Sequence, residues 1–283
     1  MVVDDLSLFS FYHIKHQTSN IKLKTIPRYF LDIAYKGTRY HGWQVQENAH
    51  TVQAELQKCL STLLRFPTDI MGSGRTDTGV HATHQVAHFD AEQAIDREQL
   101  SRKLNGILPD DISINAIKAV VPDANARFTA YERSYEYHIH QHKSPFKEDQ
   151  SYFFTKRLDV EAMNQAVHQL LGEQDFESFS KVKTDVNTFI CTIKEARWEK
   201  HNDSLVFHVT ANRFLRGMVR AIVGTLLEVG LGKLSVQEFV NTIESRDRKK
   251  AGRSVPAHGL YLTRVIYPDS IYKEDIGKGK HQE

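Results

Sequence analysis

Gly72-Ser73-Gly74-Arg75-Thr76-Asp77-Thr78-Gly79-Val80-His81 is the stretch on which the reading of this chain turns. Its glycines permit positive φ angles and close backbone approach, which places Asp77 on a tight loop. A carboxylate two residues from Arg75 has a cation at hand to favour its charged form, as a nucleophile or base requires. The same letters also fit a plain turn in which Asp77 bonds its own backbone. Three sharper readings fail. The glycine spacing is wrong for a dinucleotide fingerprint, and no Lys-Ser or Lys-Thr follows to make a P-loop. Asp77-Thr78-Gly79 matches an aspartic-protease tripeptide, but that chemistry needs two carboxylates sharing a proton, and no second such tripeptide exists.

Outward from this loop, Val80 to Phe89 reads as a strand. Upstream, Tyr29, Leu31, Ile33 and Tyr35 alternate with Phe30, Asp32 and Ala34, which is strand periodicity ending at Gly37. Thr51 caps a helix with Val52, Leu56, Cys59, Leu60, Leu63 and Leu64 along one face. A helix from Arg97 to Leu104 and a strand from Ile112 to Val121 complete a first half. In the second half Tyr135, Tyr137 and Ile139 alternate on a strand, and Asp159 caps a helix. Strands follow at Ile190–Glu199 and Leu205–Thr210, then an apolar helix from Phe214 to Val229 that stops at Gly230. Ser235 and Glu238 form a capping box, and Leu260–Tyr267 is a last strand. Hairpin-like strand pairs without a regular βα repeat predict an α+β fold. Two antiparallel-sheet halves with helices on one face would flank a cleft. The expected divisions are an N-terminal extension at 1–26, halves at 27–123 and 124–268, and a frayed tail at 269–283.

At 283 residues, 40% hydrophobic and 25% charged, the chain has globular composition. No run reaches the ~20 apolar residues of a membrane span. Leu6 to Tyr12 follows Asp4 and Asp5 in place of a basic region, so it is a poor signal peptide. Two cysteines, Cys59 and Cys191, are too few for a disulfide scaffold or thiolate zinc site, which fits the cytoplasm. Lysine and arginine number 37 against 35 acidic residues, so a polyanion must be held by a local basic face.

Arg213, Arg216 and Arg220 are three and four apart, which on a helix gives one basic face opposite Leu215, Met218, Ile222, Val223 and Leu226. A basic stripe is also what an ordinary solvated face looks like. Arg246, Arg248, Lys249, Lys250 and Arg253 form a second cluster, diluted by Glu244 and Asp247. The chain has 15 histidines. His138, His140 and His142 alternate, and three imidazoles on one face can bind zinc. On an edge strand with no carboxylate fixed nearby, a polar face is the better reading, and no metal is expected.

The string Gly74-Arg75-Thr76-Asp77-x-Gly79-Val80-His81 resembles the signature of the tRNA pseudouridine synthase A family. Further matches are collinear: Tyr40-His41-Gly42-Trp43-Gln44, Gln85-Val86-Ala87-His88-Phe89, Asn125-Ala126-Arg127-Phe128 and Arg133-Ser134-Tyr135-Glu136-Tyr137. Asp175 to Phe179, Phe214 to Arg220 and Pro256 to Leu262 follow. The likeness spans roughly residues 28 to 268. Ser73 and Thr78 depart from it, standing where the family more often has Ala.

This resemblance implies the pseudouridine synthase fold and an isomerase that turns uridine into pseudouridine in the anticodon stem-loop of tRNA, at positions 38, 39 and 40. It implies no cofactor, and a homodimer with tRNA as partner. Asp77 would be the essential carboxylate, acting as nucleophile or as base toward a glycal. Arg220 would keep it ionised, and Tyr135 would lie against the uracil and help remove the C5 proton. Arg75 would hold the space left by the everted nucleotide. His81 would support the loop or touch the RNA, and Arg213 and Arg216 would meet its phosphates. The competing reading is a catalytically silent RNA-binding or tRNA-chaperone module, which has no need of Asp77, Tyr135 and Arg220 together.

Overall fold

Alternation of large apolar and polar residues makes Arg28–Tyr35 the first strand, β1, and its buried Leu31 and Ile33 anchor the first core. The computed structural model describes residues 26–182 and 186–273. The expected extension at 1–26 and the stretch Leu6 to Tyr12 therefore lie outside the described residues, except for Ile26. Helix α1 (Val52–Leu64) starts at Thr51, whose hydroxyl accepts the Ala54 N–H at 3.3 Å. Short β2 (Met71–Gly72) leads into the Asp77 loop, and β3 (His81–Asp90) leaves it. Helix α2 (Arg97–Ile107), capped by Asp96, and β4 (Ile112–Val120) follow.

The second half begins with β5 (Glu132–His140) and β6 (Tyr152–Phe153). Helix α3 (Val160–Val167) is capped by Asp159, and β7 (Gly172–Asp175), β8 (Ile190–His201) and β9 (Ser204–Ala211) build an antiparallel edge. Helix α4 (Met218–Gly230) and α5 (Val236–Glu244), which carries the full Ser235–Glu238 capping box, precede β10 (Leu260–Ile266).

The strands form one mixed sheet in the order β4-β1-β3-β10-β5-β9-β8-β7, with β2 on β3 and β6 on β5. The expected α+β class holds, and the halves share a continuous sheet. Their seam is β10, antiparallel to β5 and parallel to β3 through only Tyr261–His81 and Leu262–Ala82. Farther along the same edge of β3, β2 pairs at His88 and Ala87. The Asp77 loop lies in the wedge where β10 and β2 part. One apolar core joins α1 and α2 to β1, β3 and β4; a second joins α3, α4 and α5 to β5, β8 and β9. Burying such faces is what drives the chain together.

The end after Pro268 is not frayed throughout: Val121 donates to the Ile271 carbonyl at 2.9 Å and Lys273 to that of Ala119 at 3.0 Å. Cys59 and Cys191 are buried and form no disulfide, and burial pushes the Cys191 thiol up to about 11. Among the described residues no helix is long and apolar enough to cross a membrane.

Three histidines of β3 act as backbone fasteners. His81 Nδ1 accepts the Gly37 N–H at 3.0 Å, His84 Nδ1 that of Val265 at 3.0 Å, and His88 Nδ1 that of Ala126 at 3.1 Å. Burial lowers the pKa of His81, and it lowers that of His88 to about 4. The unfolded chain would take up these protons near pH 6.5 while the folded chain resists them, so stability falls as pH drops through that window. A shift like that of His88 corresponds to roughly 3 kcal/mol by pH 4. Denaturant unfolding at pH 7 and 4.5 should show this acid loss, and His88→Gln should shrink it. An equal loss in both proteins would place the sensitivity elsewhere.

Candidate active site

The loop that presents Asp77 is bonded on every side. Ser73 N–H donates to the Val86 carbonyl at 2.7 Å, its hydroxyl pairs with Gln85 Oε1, and Gln85 Nε2 donates to the Gly74 carbonyl at 3.1 Å. Thr76 Oγ1 meets the buried Tyr35 hydroxyl at 2.8 Å, and its carbonyl accepts the Trp43 N–H at 3.2 Å. Val80 N–H closes the turn onto the Asp77 carbonyl at 3.1 Å. Gly42, at φ 89°, lies so close that a Cβ there would sit 2.5 Å from the Thr76 carbonyl oxygen. A side chain at Gly72 would strike the Trp43 indole. The glycines thus let two neighbouring segments grip the Asp77 backbone directly.

The carboxylate points at the second half. Arg220 Nη1 lies 3.3 Å from Asp77 Oδ2, and Arg216 Nε lies 3.7 Å from Oδ1. Arg220 is in the first turn of α4, and its Nε donates to the Val255 carbonyl at 2.8 Å, which braces the guanidinium. Two guanidinium groups on two oxygens orient a carboxylate by charge and geometry together. The Asp77 side chain remains 32% exposed, so the site is open.

Tyr135 enters from the middle of β5, edge-on to Phe214 with ring centroids 5.0 Å apart. Burial pushes its phenol up to about 12; Arg133 opposes that shift and Asp77 adds to it. Tyr35, joined to Thr76, is raised further, again by burial. Both phenols therefore keep their protons at neutral pH.

Asp77, Tyr135, Arg216 and Arg220 come together from elements far apart in sequence. Arg75 is exposed at the rim and forms no hydrogen bond or ion pair with the described residues. Arg213 is half-buried and, like Arg216, lies before the helix rather than on it. The expected helix from Phe214 begins only at Met218, because Gly217 adopts φ 73° and no helix runs through a left-handed residue. The shared helical face of the three arginines is thus lost, although Arg216 still reaches Asp77 through the loop. The core residues expected opposite them, Leu215, Met218, Ile222, Val223 and Leu226, are all buried.

His81, expected to support the loop or touch the RNA, is 1% exposed, and its Nε2 reaches the His258 carbonyl at 3.1 Å. With Gly37 on Nδ1, both ring nitrogens are taken, so it joins the two halves and offers nothing to a ligand. The histidine face also differs from expectation, since β5 lies inside the sheet and Glu136 stands 2.9 Å from His138 and 3.5 Å from His208. These imidazoles hold the Glu136 carboxyl well below its usual range. His140 is buried on Phe153, and His142 faces Asp203. No group of three or more ligating side chains suited to a metal occurs among the described residues. In the second basic cluster, Arg246 pairs with Asp175 at 3.3 Å and Arg248 donates to the Ala251 and Gly252 carbonyls.

Residue types alone did not single out Tyr35, Phe214 or Arg133. Arg133 is a half-buried guanidinium bonded to four carbonyls, those of Ser73, Arg127, Ala130 and Asn212, and burial lowers its pKa. Its place two residues before Tyr135 was the available signal. A cavity of about 430 Å³ lined by Glu136, His138, Lys147 and Tyr261 lies apart and includes none of the converging side chains. A ligand the size of a folded RNA needs an open groove rather than an enclosed pocket.

A wedge in a mixed sheet sets a carboxylate against two arginines and a half-buried tyrosine, the equipment of an open site for carboxylate chemistry. The family model described as tRNA pseudouridine synthase matches residues 33–129 and 166–268. The tRNA pseudouridine synthase A of Bacteroides thetaiotaomicron is 50% identical over 254 residues, 89% of this chain and 94% of that protein. That of Bacillus subtilis is 42% identical over 239 residues, 83% and 97% of the two chains. Among solved structures, a chain from a Cbf5-Nop10-Gar1 complex overlays at a TM-score of 0.31 and 13% identity, over 83% of this chain and 58% of that one, too distant to add to these. The chain belongs to the tRNA pseudouridine synthase family.

Proposed function

We propose that the chain isomerises uridine to pseudouridine in the anticodon arm of tRNA, at positions 38, 39 and 40, with Asp77 as the essential carboxylate. The observation that carries this reading is the placement of Asp77 between Arg220 and Arg216, with Tyr135 beside it. A silent RNA-binding module would gain nothing from this convergence.

In the reaction the N1–C1′ bond breaks, the uracil turns, and a C5–C1′ bond forms. One proton leaves C5 and one is gained at N1, so atoms and electrons balance without an oxidant or co-substrate. Asp77 either attacks C1′ or removes a ribose proton to open a glycal route; its position suits both. Tyr135, held as the neutral phenol, walls the uracil ring and takes the C5 proton only as its own proton passes onward. Arg75, free at the rim, fills the space of the everted nucleotide, whose extrusion costs a few kcal/mol. Arg213 and Arg216 lead the phosphates toward the site. The substrate is larger than either half, so a homodimer that braces one tRNA with both copies fits this reading, as does residence in the cytoplasm with the tRNA pool.

The test is to incubate the purified chain with an unmodified tRNA transcript and map pseudouridine by position. Conversion at 38, 39 or 40 is expected. A transcript that is bound but stays unmodified there would overturn the reading.

A further inference from the structure

Phe128 is 75% exposed, and a single exposed apolar side chain is ordinary. What sets this one apart is the loop that carries it. Asn125 Oδ1 accepts the N–H groups of Arg127 at 2.9 Å and Phe128 at 3.1 Å, and Thr129 Oγ1 accepts that of Asn125 at 2.9 Å. Ala126 is gripped at both ends, by His88 on its N–H and by the Tyr267 hydroxyl on its carbonyl at 2.6 Å. The ring therefore stands in water on a backbone that is already fixed, with the Arg127 guanidinium 5.3 Å from its centroid.

The same Arg133 nitrogen that binds the Arg127 carbonyl at 2.7 Å binds the Ser73 carbonyl at 3.2 Å. Its other nitrogen holds Asn212, next to Arg213, at 3.1 Å. One half-buried guanidinium thus sets the Arg127–Phe128 pair against the segment that leads to Arg75 and Asp77, and against the segment that leads to Arg216. An exposed aromatic ring flanked by cations and held rigidly beside such a site has the chemistry that takes an unpaired nucleobase. The ring supplies a stacking surface, and the arginines meet the backbone phosphates.

We propose that Phe128 is a stacking platform for an unpaired base of the RNA, flanking the nucleotide that enters the Asp77 site, with Arg127 on the adjoining phosphate. This rests on the function proposed above and names a further contact that selects single-stranded over paired RNA. Base–aromatic stacking of this kind corresponds to about a five- to hundred-fold change in affinity per base.

The experiment compares the full chain with Phe128→Ala and Phe128→Trp, measuring binding to an unmodified tRNA transcript and to a fully paired RNA duplex. Being exposed, the position tolerates both substitutions. Phe128→Ala should weaken transcript binding by about ten-fold and leave duplex binding unchanged, while Phe128→Trp retains affinity. Trp43 and Trp198 are buried, so the emission that Phe128→Trp adds over that of the unsubstituted chain reports position 128 and should be quenched by the transcript. Unchanged affinity in Phe128→Ala, equal weakening on the duplex, or an altered oligomeric state with RNA binding intact would each overturn the proposal. Pseudouridine formation by the unsubstituted chain on the same transcript is read separately, so failure of the stacking contact and failure of the functional reading remain distinct.

Discussion

Asp77→Asn is expected to lower pseudouridine formation by more than about a thousand-fold, the scale seen when an essential base or nucleophile is removed. Asparagine keeps the shape of the side chain and can still bond Arg220, so tRNA affinity should stay within a few-fold. The measurement is release of tritium from tRNA labelled at uracil C5, since that hydrogen must leave when the carbon–carbon bond forms. Single-turnover conditions separate the chemical step from binding. Turnover near that of the unsubstituted chain would remove Asp77 from the mechanism. Loss of binding in parallel with loss of turnover would recast it as a residue that shapes the groove.

The second large effect is expected at a residue with no side chain. Gly42→Ala adds a Cβ at φ 89°, where L residues are strained, and drives it to 2.5 Å from the Thr76 carbonyl oxygen. Strain of this kind costs about 1–3 kcal/mol, seen as a lower melting temperature. The contact is backbone on backbone, so relieving it moves the Gly42 segment or the Thr76–Asp77 backbone it holds. A displacement near 1 Å at a reacting group costs on the order of a hundred-fold in rate. The expected signature is therefore a kcat about a hundred-fold lower with a nearly unchanged KM for tRNA. A variant that loses stability and keeps its kcat would show that the loop is set by Tyr35 and Gln85, not by Gly42.

Much of the fold was legible because its signals are local. Thr51, Asp159 and Ser235 with Glu238 announce helix starts by side-chain chemistry, and each cap forms as expected. Strands β1 and β5 declare themselves by alternation. The start of α4 was misread because apolar spacing runs unbroken through Phe214 and Leu215, whereas Gly217 decides the backbone. Four-residue β7 was missed because so short a strand has no periodicity to show. The seam was hidden for a different reason, since β10 meets β3 over two residue pairs and the paired residues lie 180 positions apart.

The site divides along the same line. Asp77, Tyr135 and Arg220 were named through a collinear resemblance, and residue types alone left Tyr135 as an ordinary strand tyrosine. The backbone role of the β3 histidines was not legible because sequence cannot say which distant N–H will meet an imidazole. Arg133 hides likewise, because its four acceptors are all backbone carbonyls and leave no pattern of charge.

Because the sheet closes through β10, the order of synthesis has a consequence. While the nascent chain lengthens on the ribosome, β3 has its edge open at His81 and Ala82, and His81 lacks the carbonyl of His258 and the ring of Tyr261. The guanidinium of Arg220 emerges earlier, yet its brace at Val255 does not. The seam thus closes only when the final strand enters between two halves already made, and a message cut short before that point yields a protein whose sheet stays open beside Asp77.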